Sequence, residues 1–139
     1  MLQKLEVKMK KILLIEDNIS ISDELSMILS LEGYEMLTAD NGKLGLLLAN
    51  SLIPDLIISD IFMGEGLDGF DILAEIRANN LTRDIPFIFI TSAAGKTSQL
   101  YADHLGADDY LIKPFVPEIL LNTVKLQMEK RTSSIVSII

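Results

Sequence analysis

Short, nearly continuous apolar runs alternate along the chain with stretches whose apolar residues recur at helical spacing. The runs lie at residues 12–15, 34–39, 56–59, 86–91 and 109–112. Strands that are covered by helices on both faces have this composition, because neither face of the sheet meets water. The alternation therefore predicts an α/β fold, in which a doubly wound five-stranded parallel sheet is flanked by five helices.

The five helical stretches carry their own boundary signals. Asn18 and Ser20 are cap-type residues before the first helix, Gly33 ends it, and Pro117 suits the first turn of the fifth. The fourth helix is predicted over residues 99–105. The predicted apolar positions of the other four are, in chain order, Ile21, Leu25, Ile28, Leu29 and Leu31; Leu44, Leu47 and Leu48; Phe70, Leu73 and Ile76; and Ile119, Leu120, Val124 and Met128.

Composition narrows the class of protein. A length of 139 residues suits one domain, predicted over residues 10–130, with an N-terminal extension (1–9) and a C-terminal tail or start of a linker (131–139). With 20 acids against 12 bases, the chain is not expected to bind nucleic acid directly. No cysteine is present, which excludes disulfides and zinc–thiolate sites. Since no apolar run approaches the roughly 20 residues of a membrane helix, we expect a cytoplasmic protein without a membrane partner.

Polar residues follow four of the five predicted strands. Glu16 and Asp17 follow the first, Asp60 the third, Thr91 closes the fourth, and Lys113 follows the fifth. The carboxyl ends of parallel strands meet at one edge of a sheet, so these side chains are expected to lie together. Three crowded carboxylates repel one another, and a divalent cation removes that repulsion. Oxygen ligands without His or Cys favour Mg²⁺, Ca²⁺ or Mn²⁺.

A lysine and a hydroxyl beside such a cation are donors suited to a phosphoryl group. Lys113 would neutralise charge, Thr91 would donate a hydrogen bond, and one aspartate would act as the nucleophile. Each signal alone has an ordinary structural explanation, such as a helix cap, a turn or a loop. Their joint placement after four strands is what favours a site for phosphoryl transfer.

Four segments in this order resemble the receiver domains of response regulators in two-component signalling. They read LLIEDN, LIISDIFM, FIFITSA and GADDYLIKPF, and the resemblance extends over about residues 10–130. It implies a flavodoxin-like receiver fold and a phosphoprotein of a two-component system or phosphorelay. Asp60 would accept the phosphoryl group from a phosphohistidine on a sensor histidine kinase or a phosphotransfer protein.

The resemblance also implies a metal site. Asp17, Asp60 and the backbone carbonyl of Phe62 would bind Mg²⁺ directly, and Glu16 would act mainly through a metal-bound water. The first acid is Glu16 where aspartate is also common, which lengthens its reach to that water.

Two further parts of the resemblance concern the lysine and the switch. Lys113 would pair with Asp60 and then with a phosphoryl oxygen, and the Lys113–Pro114 bond would be cis. Thr91 would move toward the phosphoryl group, and Tyr110 would follow it inward. The changed surface would recruit a partner or a second copy of the chain as a homodimer.

The loop after Asp60 departs from the family pattern. The family usually has a proline where this chain has Gly64, and the loop is one residue longer, with Gly66 as a further glycine. These glycines predict a looser loop. The resemblance also implies that the residues two past the Asp and two past the Thr flank the path of the hydrolytic water. Here these are Phe62 and Ala93, whose apolar side chains cannot position a water, which predicts slow loss of the phosphoryl group.

Two other functions compete with the signalling switch, for which no turnover of a separate substrate is expected. An aspartyl-phosphate phosphohydrolase would carry a second aspartate two residues after the first, but this position is Phe62, which cannot transfer a proton. A degenerate receiver that acts only in docking or dimerisation would lack site residues, but all of these positions are occupied.

Overall fold

The computed structural model describes residues 8–92 and 96–138. Within these residues it forms a single sheet of five parallel strands in the order β2-β1-β3-β4-β5. The strands are β1 (Lys11–Ile15), β2 (Glu35–Ala39), β3 (Leu56–Ser59), β4 (Phe87–Thr91) and β5 (Asp109–Ile112). The predicted doubly wound sheet is confirmed, and each strand lies where an apolar run predicts it.

A helix follows each strand. The helices are α1 (Ile19–Leu31), α2 (Gly42–Leu52), α3 (Gly69–Ala78), α4 (Lys96–Leu105) and α5 (Pro117–Ile138). The side chain of Asn18 accepts from the backbone N–H of Ile21 and so caps α1, as predicted. Helix α4 begins earlier than the predicted residue 99, and α5 continues through the predicted tail.

The core lies on both faces of the sheet. One cluster of buried residues packs beneath α2, α3 and α4 and includes Phe87, Phe89 and Ile57. The other packs beneath α1 and α5 and includes Leu25 and Val124. Because both faces are covered, side chains reach solvent mainly at the ends of the strands, which is where the site lies. No helix among the described residues is long and apolar enough to span a bilayer.

The predicted apolar face of α2 is wrong at Leu44 and Leu47, whereas Leu48 packs against the core as predicted. Leu47 is 61% exposed and Leu44 37% exposed, whereas Gly42, Gly45 and Ala49 are buried. A Cβ atom on Gly45 would lie 2.6 Å from the side chain of Ile15. Small residues thus let this helix approach the sheet closely, while Leu44 and Leu47 turn outward and Leu46 and Leu48 pack at the side of the core.

A smaller correction applies to α1. Its last residue, Leu31, is 81% exposed rather than part of the buried face that Leu25 and Leu29 form. The helix ends there, and the following turn passes through Gly33, whose φ is +94°.

Candidate functional site

The three acidic side chains converge at the carboxyl edge of the sheet. Glu16 and Asp17 follow β1, and Asp60 follows the neighbouring strand β3. One carboxylate oxygen from each lies within 4.8 Å of the others. Glu16 and Asp60 are buried, whereas Asp17 is exposed. The predicted juxtaposition of the three carboxylates is therefore present.

Lys113 joins two of these carboxylates. Its Nζ donates to Glu16 Oε1 at 2.6 Å and to Asp60 Oδ2 at 2.8 Å. Burial lowers the pKa of this ammonium, but its two carboxylate partners outweigh that effect and the net pKa is raised. Lys113 is therefore a fixed positive charge between the acids. The Lys113–Pro114 peptide bond is cis, as predicted.

Asp60 is held by backbone groups as well as by the lysine. Its N–H donates to Ile15 O at 3.0 Å, which extends the pairing of β3 with β1 by one residue. Its Oδ1 accepts from the backbone N–H of Ile61 at 2.7 Å. The buried Ser59 hydroxyl donates to the Asp60 carbonyl at 2.7 Å. Ser59 was not among the predicted site residues; the signal for it in the sequence is a hydroxyl in the otherwise apolar run LIIS.

Glu16 is the electrostatically unusual member of the site. Burial raises its pKa to about 7; the Lys113 hydrogen bond opposes this rise and the negative charge of Asp60 adds to it. Its Oε2 atom is buried without a hydrogen-bond partner among the described residues. A buried carboxylate oxygen without a donor suits a cation, and a site made only of oxygen ligands suits Mg²⁺.

The two residues predicted as a switch lie on adjacent strands. Thr91 ends β4 and is 1% exposed, and Tyr110 in β5 is 8% exposed. The Tyr110 ring packs edge-on against Phe89, with 6.2 Å between centroids. Burial, with a contribution from the charge of Asp60, raises the pKa of the Tyr110 hydroxyl. The tyrosine therefore lies in the inward position.

The loop after Asp60 is anchored by buried apolar residues. Ile61 and Met63 are buried, and Phe62 between them is 60% exposed. Gly64 and Gly66 adopt φ values of +78° and +97°, which favour glycine. Ala93, the other residue predicted to affect hydrolysis, lies outside the described residues.

Comparison with known proteins gives one consistent family. A model described as the response regulator receiver domain matches residues 12–125. The chain is 37% identical over 122 residues to the DNA-binding dual master transcriptional regulator RpaA of Synechocystis sp., covering 88% of this chain and 50% of that one. It is 36% identical over 126 residues to response regulator SaeR of Staphylococcus aureus, covering 88% and 53%. The chain thus spans about half the length of these curated relatives.

Solved structures give the same result for the fold. Chemotaxis protein CheY4 of Vibrio cholerae superposes with a TM-score of 0.80 at 33% identity, covering 85% of this chain and 98% of that one. A CheY-like receiver domain protein of Methanospirillum hungatei superposes with a TM-score of 0.86 at 27% identity, covering 91% and 99%.

Proposed function

Because the chain belongs to the response regulator receiver domain family, we propose that it is a two-component switch that accepts a phosphoryl group on Asp60 in the presence of Mg²⁺. The observation that carries this proposal is the surroundings of the Asp60 carboxylate. One oxygen accepts from the Ile61 N–H, the other accepts from Lys113 Nζ, and two further acids lie beside it.

The acidic cluster fits a magnesium ion. Asp17, Asp60 and the carbonyl of Phe62 would hold the ion directly, with Glu16 acting through a bound water. Mg²⁺ supplies neutralisation of charge on the phosphoryl oxygens when it is bound. The buried Glu16 Oε2 without a donor supports this assignment, because a water bound to the ion would donate a hydrogen bond to it.

The protein's own groups account for the transfer step. An oxygen of Asp60 attacks the phosphorus of a phosphohistidine on a sensor histidine kinase or phosphotransfer protein. The new O–P bond forms as the P–N bond breaks, and the imidazole leaves with the electron pair. Lys113 then pairs with a phosphoryl oxygen, and the hydroxyl of Thr91 donates to another. Tyr110 already lies inward against Phe89, and the contact of Thr91 with the phosphoryl group would hold it there and so fix the outer surface of α4, β5 and α5.

Receiver domains of response regulators are not, in general, enzymes that turn over a separate substrate. The competing phosphohydrolase needs a proton-transferring residue two positions after Asp60, and Phe62 has none. About half of each of these curated relatives is not matched by this chain, so the output of those proteins is not carried over to it.

Phosphorylation with acetyl phosphate tests the proposal. Wild-type protein with Mg²⁺ should gain one phosphoryl group, measured by intact mass, and Asp60→Asn should gain none. Asp17→Asn should lose both Mg²⁺ affinity and phosphorylation. Exposed Asp103→Asn on α4 is the matched control and should behave as wild type. A phosphoryl mass on Asp60→Asn, or wild-type Mg²⁺ affinity in Asp17→Asn, would contradict the assignments.

A further inference from the structure

Ser59 places a hydroxyl inside the sheet, one residue before the phosphoacceptor. Its side chain is fully buried and donates to the Asp60 carbonyl at 2.7 Å. We propose that Ser59 is a positioning residue, whose hydroxyl fixes the peptide between Asp60 and Ile61 so that the Ile61 N–H holds the Asp60 carboxylate. The inference rests on the proposed role of Asp60 and extends it to a residue outside the acidic cluster.

The planarity of the peptide connects the two hydrogen bonds. The Asp60 carbonyl oxygen and the Ile61 N–H belong to one rigid unit and point in opposite directions. Fixing the oxygen on Ser59 Oγ therefore fixes the direction of the N–H, which donates to Asp60 Oδ1 at 2.7 Å. A rotation of this peptide would break both bonds together.

Gly69 confines the same peptide from another direction. A Cβ atom at this position would lie 2.3 Å from the Asp60 carbonyl oxygen and 2.8 Å from Ile61 Cα, so only glycine allows the observed approach. The Gly69 N–H also donates to Ile61 O at 2.7 Å. The first residue of α3 and the last of β3 thus hold the peptide between them.

The carboxylate needs both of its anchors to keep one orientation. Lys113 holds Oδ2 and the Ile61 N–H holds Oδ1, which leaves no free rotation of the group. Loss of the Oδ1 anchor would let the carboxylate turn about its bond, and a nucleophile that is less well aligned reacts more slowly. Because Asp60 is also a proposed Mg²⁺ ligand, we expect Ser59 to act on the rate of phosphorylation even when Mg²⁺ is saturating.

The test compares two serines whose hydroxyl groups are buried. Ser59→Ala removes the donor to Asp60, whereas Ser26→Ala removes a buried hydroxyl on α1 that has no hydrogen-bond partner among the described residues. Ser59→Thr keeps the donor. Each protein is measured for its rate of phosphorylation by acetyl phosphate at saturating Mg²⁺, its Mg²⁺ affinity, its melting temperature, and the ¹H–¹⁵N resonance of the Ile61 amide.

Ser59→Ala should slow phosphorylation about tenfold, comparable to the loss of one hydrogen bond from the aligned state. It should also shift the Ile61 amide proton upfield, and saturating Mg²⁺ should not restore the rate. Ser26→Ala should match the wild type, and Ser59→Thr should recover most of the rate and the Ile61 shift.

Two kinds of failure are distinguishable. If the wild type is phosphorylated but Ser59→Ala shows the same rate, or a slower rate with an unmoved Ile61 amide, the positioning role is wrong and Asp60 keeps its function. If the wild type is not phosphorylated at all, the proposed function is wrong. The Ile61 resonance then still decides whether Ser59 fixes this peptide.

Discussion

At the scale of single residues, the ionisation of Glu16 determines how readily the acidic cluster takes a cation. Its raised pKa of about 7 means that near neutral pH a proton occupies this carboxyl in part of the molecules. Binding of the proposed cation would favour loss of that proton, because the ionised carboxylate accepts from a metal-bound water and offsets the positive charge. Cation binding and proton release are therefore linked at this residue.

This linkage predicts a pH-dependent Mg²⁺ affinity. Below the raised pKa the proton competes with the cation, so affinity should fall as the pH decreases from about 8 to about 6. Isothermal titration calorimetry in buffers of different ionisation enthalpy would measure both the affinity and the protons released. Glu16→Gln cannot release a proton and should show a flatter profile, and an equally steep profile in this variant would contradict the assignment.

Phe62 leads to a prediction about the lifetime of the phosphorylated state. Phe62 lies two residues after Asp60, and its apolar ring is 60% exposed. The ring offers no hydrogen-bonding group that could orient a water. Phe62→Asn should speed the decay of phospho-Asp60, and a tenfold change would need only about 1.4 kcal/mol. The measurement is loss of the phosphoryl mass with time in Mg²⁺ buffer, with exposed Leu81→Asn as the control for a new surface amide. Unchanged or slower decay in Phe62→Asn would show that the ring does not shield the site.

The placement of the candidate site residues at one edge of the sheet was predictable, because they stand at the ends of apolar runs. A strand that ends at the edge of a parallel sheet delivers its next residue to that edge, whatever the details of packing. The role of Ser59 was not predictable in this way, since it depends on how one peptide is oriented. The raised pKa of Glu16 likewise depends on burial, which the order of residues does not reveal.

At the scale of elements, one arginine ties α3 to the turn between α4 and β5. Arg77 donates to the carbonyls of Arg83, Ile85 and Gly106 and to the carboxylate of Asp108. Burial lowers the pKa of this guanidinium, and the charge of Asp108 partly offsets that effect. The planar fork of arginine matches these several acceptors at once, which a lysine would not.

Removing this side chain should therefore destabilise the fold. Arg77→Ala leaves three backbone carbonyls without this donor and leaves Asp108 with the Phe87 N–H but without its ion pair, and we expect a loss of about 2–4 kcal/mol in the free energy of unfolding. Arg77→Lys should recover only part of it. Urea denaturation measures the difference. The control is Arg83→Ala, because the exposed Arg83 side chain donates only to Asn80, at 3.4 Å, among the described hydrogen bonds. Its free energy of unfolding should lie within about 0.5 kcal/mol of the wild-type value. A loss below 1 kcal/mol for Arg77→Ala would rule out this role.

Helix α2 shows that the spacing of apolar residues does not always predict which side chains of a helix face the sheet. Leucine spacing predicts that Leu44 and Leu47 face the sheet, yet Gly45 and Ala49 do so. Hydrophobic spacing records which residues are apolar, but the distance between helix and sheet decides which side chains fit. The distance between helix and sheet depends on how the whole layer packs, so it cannot be predicted from the sequence of the helix alone.

At the scale of the whole molecule, the edge formed by β5 and the start of α5 exposes apolar side chains. Ile112 is 40% exposed, and Val116 and Ile119 are each 52% exposed. A shallow groove of about 170 Å³ runs beside them and is lined also by Phe115. This edge lies on the strand that carries Tyr110, so a change at the site would reach it directly.

We therefore predict that phosphorylation favours self-association through this edge. Sedimentation velocity with beryllofluoride and Mg²⁺, at several protein concentrations, should show a concentration-dependent dimer that is absent without beryllofluoride. Ile119→Glu should abolish the dimer by placing a charge in the contact, whereas Leu47→Glu, on the opposite side of the sheet, should not. An unchanged mass at all concentrations would exclude self-association and leave a different partner.

The architecture itself was predictable almost in full. Buried parallel strands leave continuous apolar runs, and short loops leave few topologies to consider. Residue order alone did not reveal the continuation of α5 through residues 131–138, since a Ser- and Ile-rich stretch suits either a helix or a linker.

The sheet order has a mechanical consequence for the site. Asp60 extends β3, the middle strand, which is bonded on both sides, to β1 and to β4. Lys113 extends β5, an edge strand bonded to β4 alone among the described strands. Asp60, the proposed phosphoacceptor, thus follows a strand held on both sides, whereas Lys113 follows a strand held on one side. We therefore expect a group that enters between the two side chains to displace Lys113 more readily than Asp60, toward the β5 edge of the sheet.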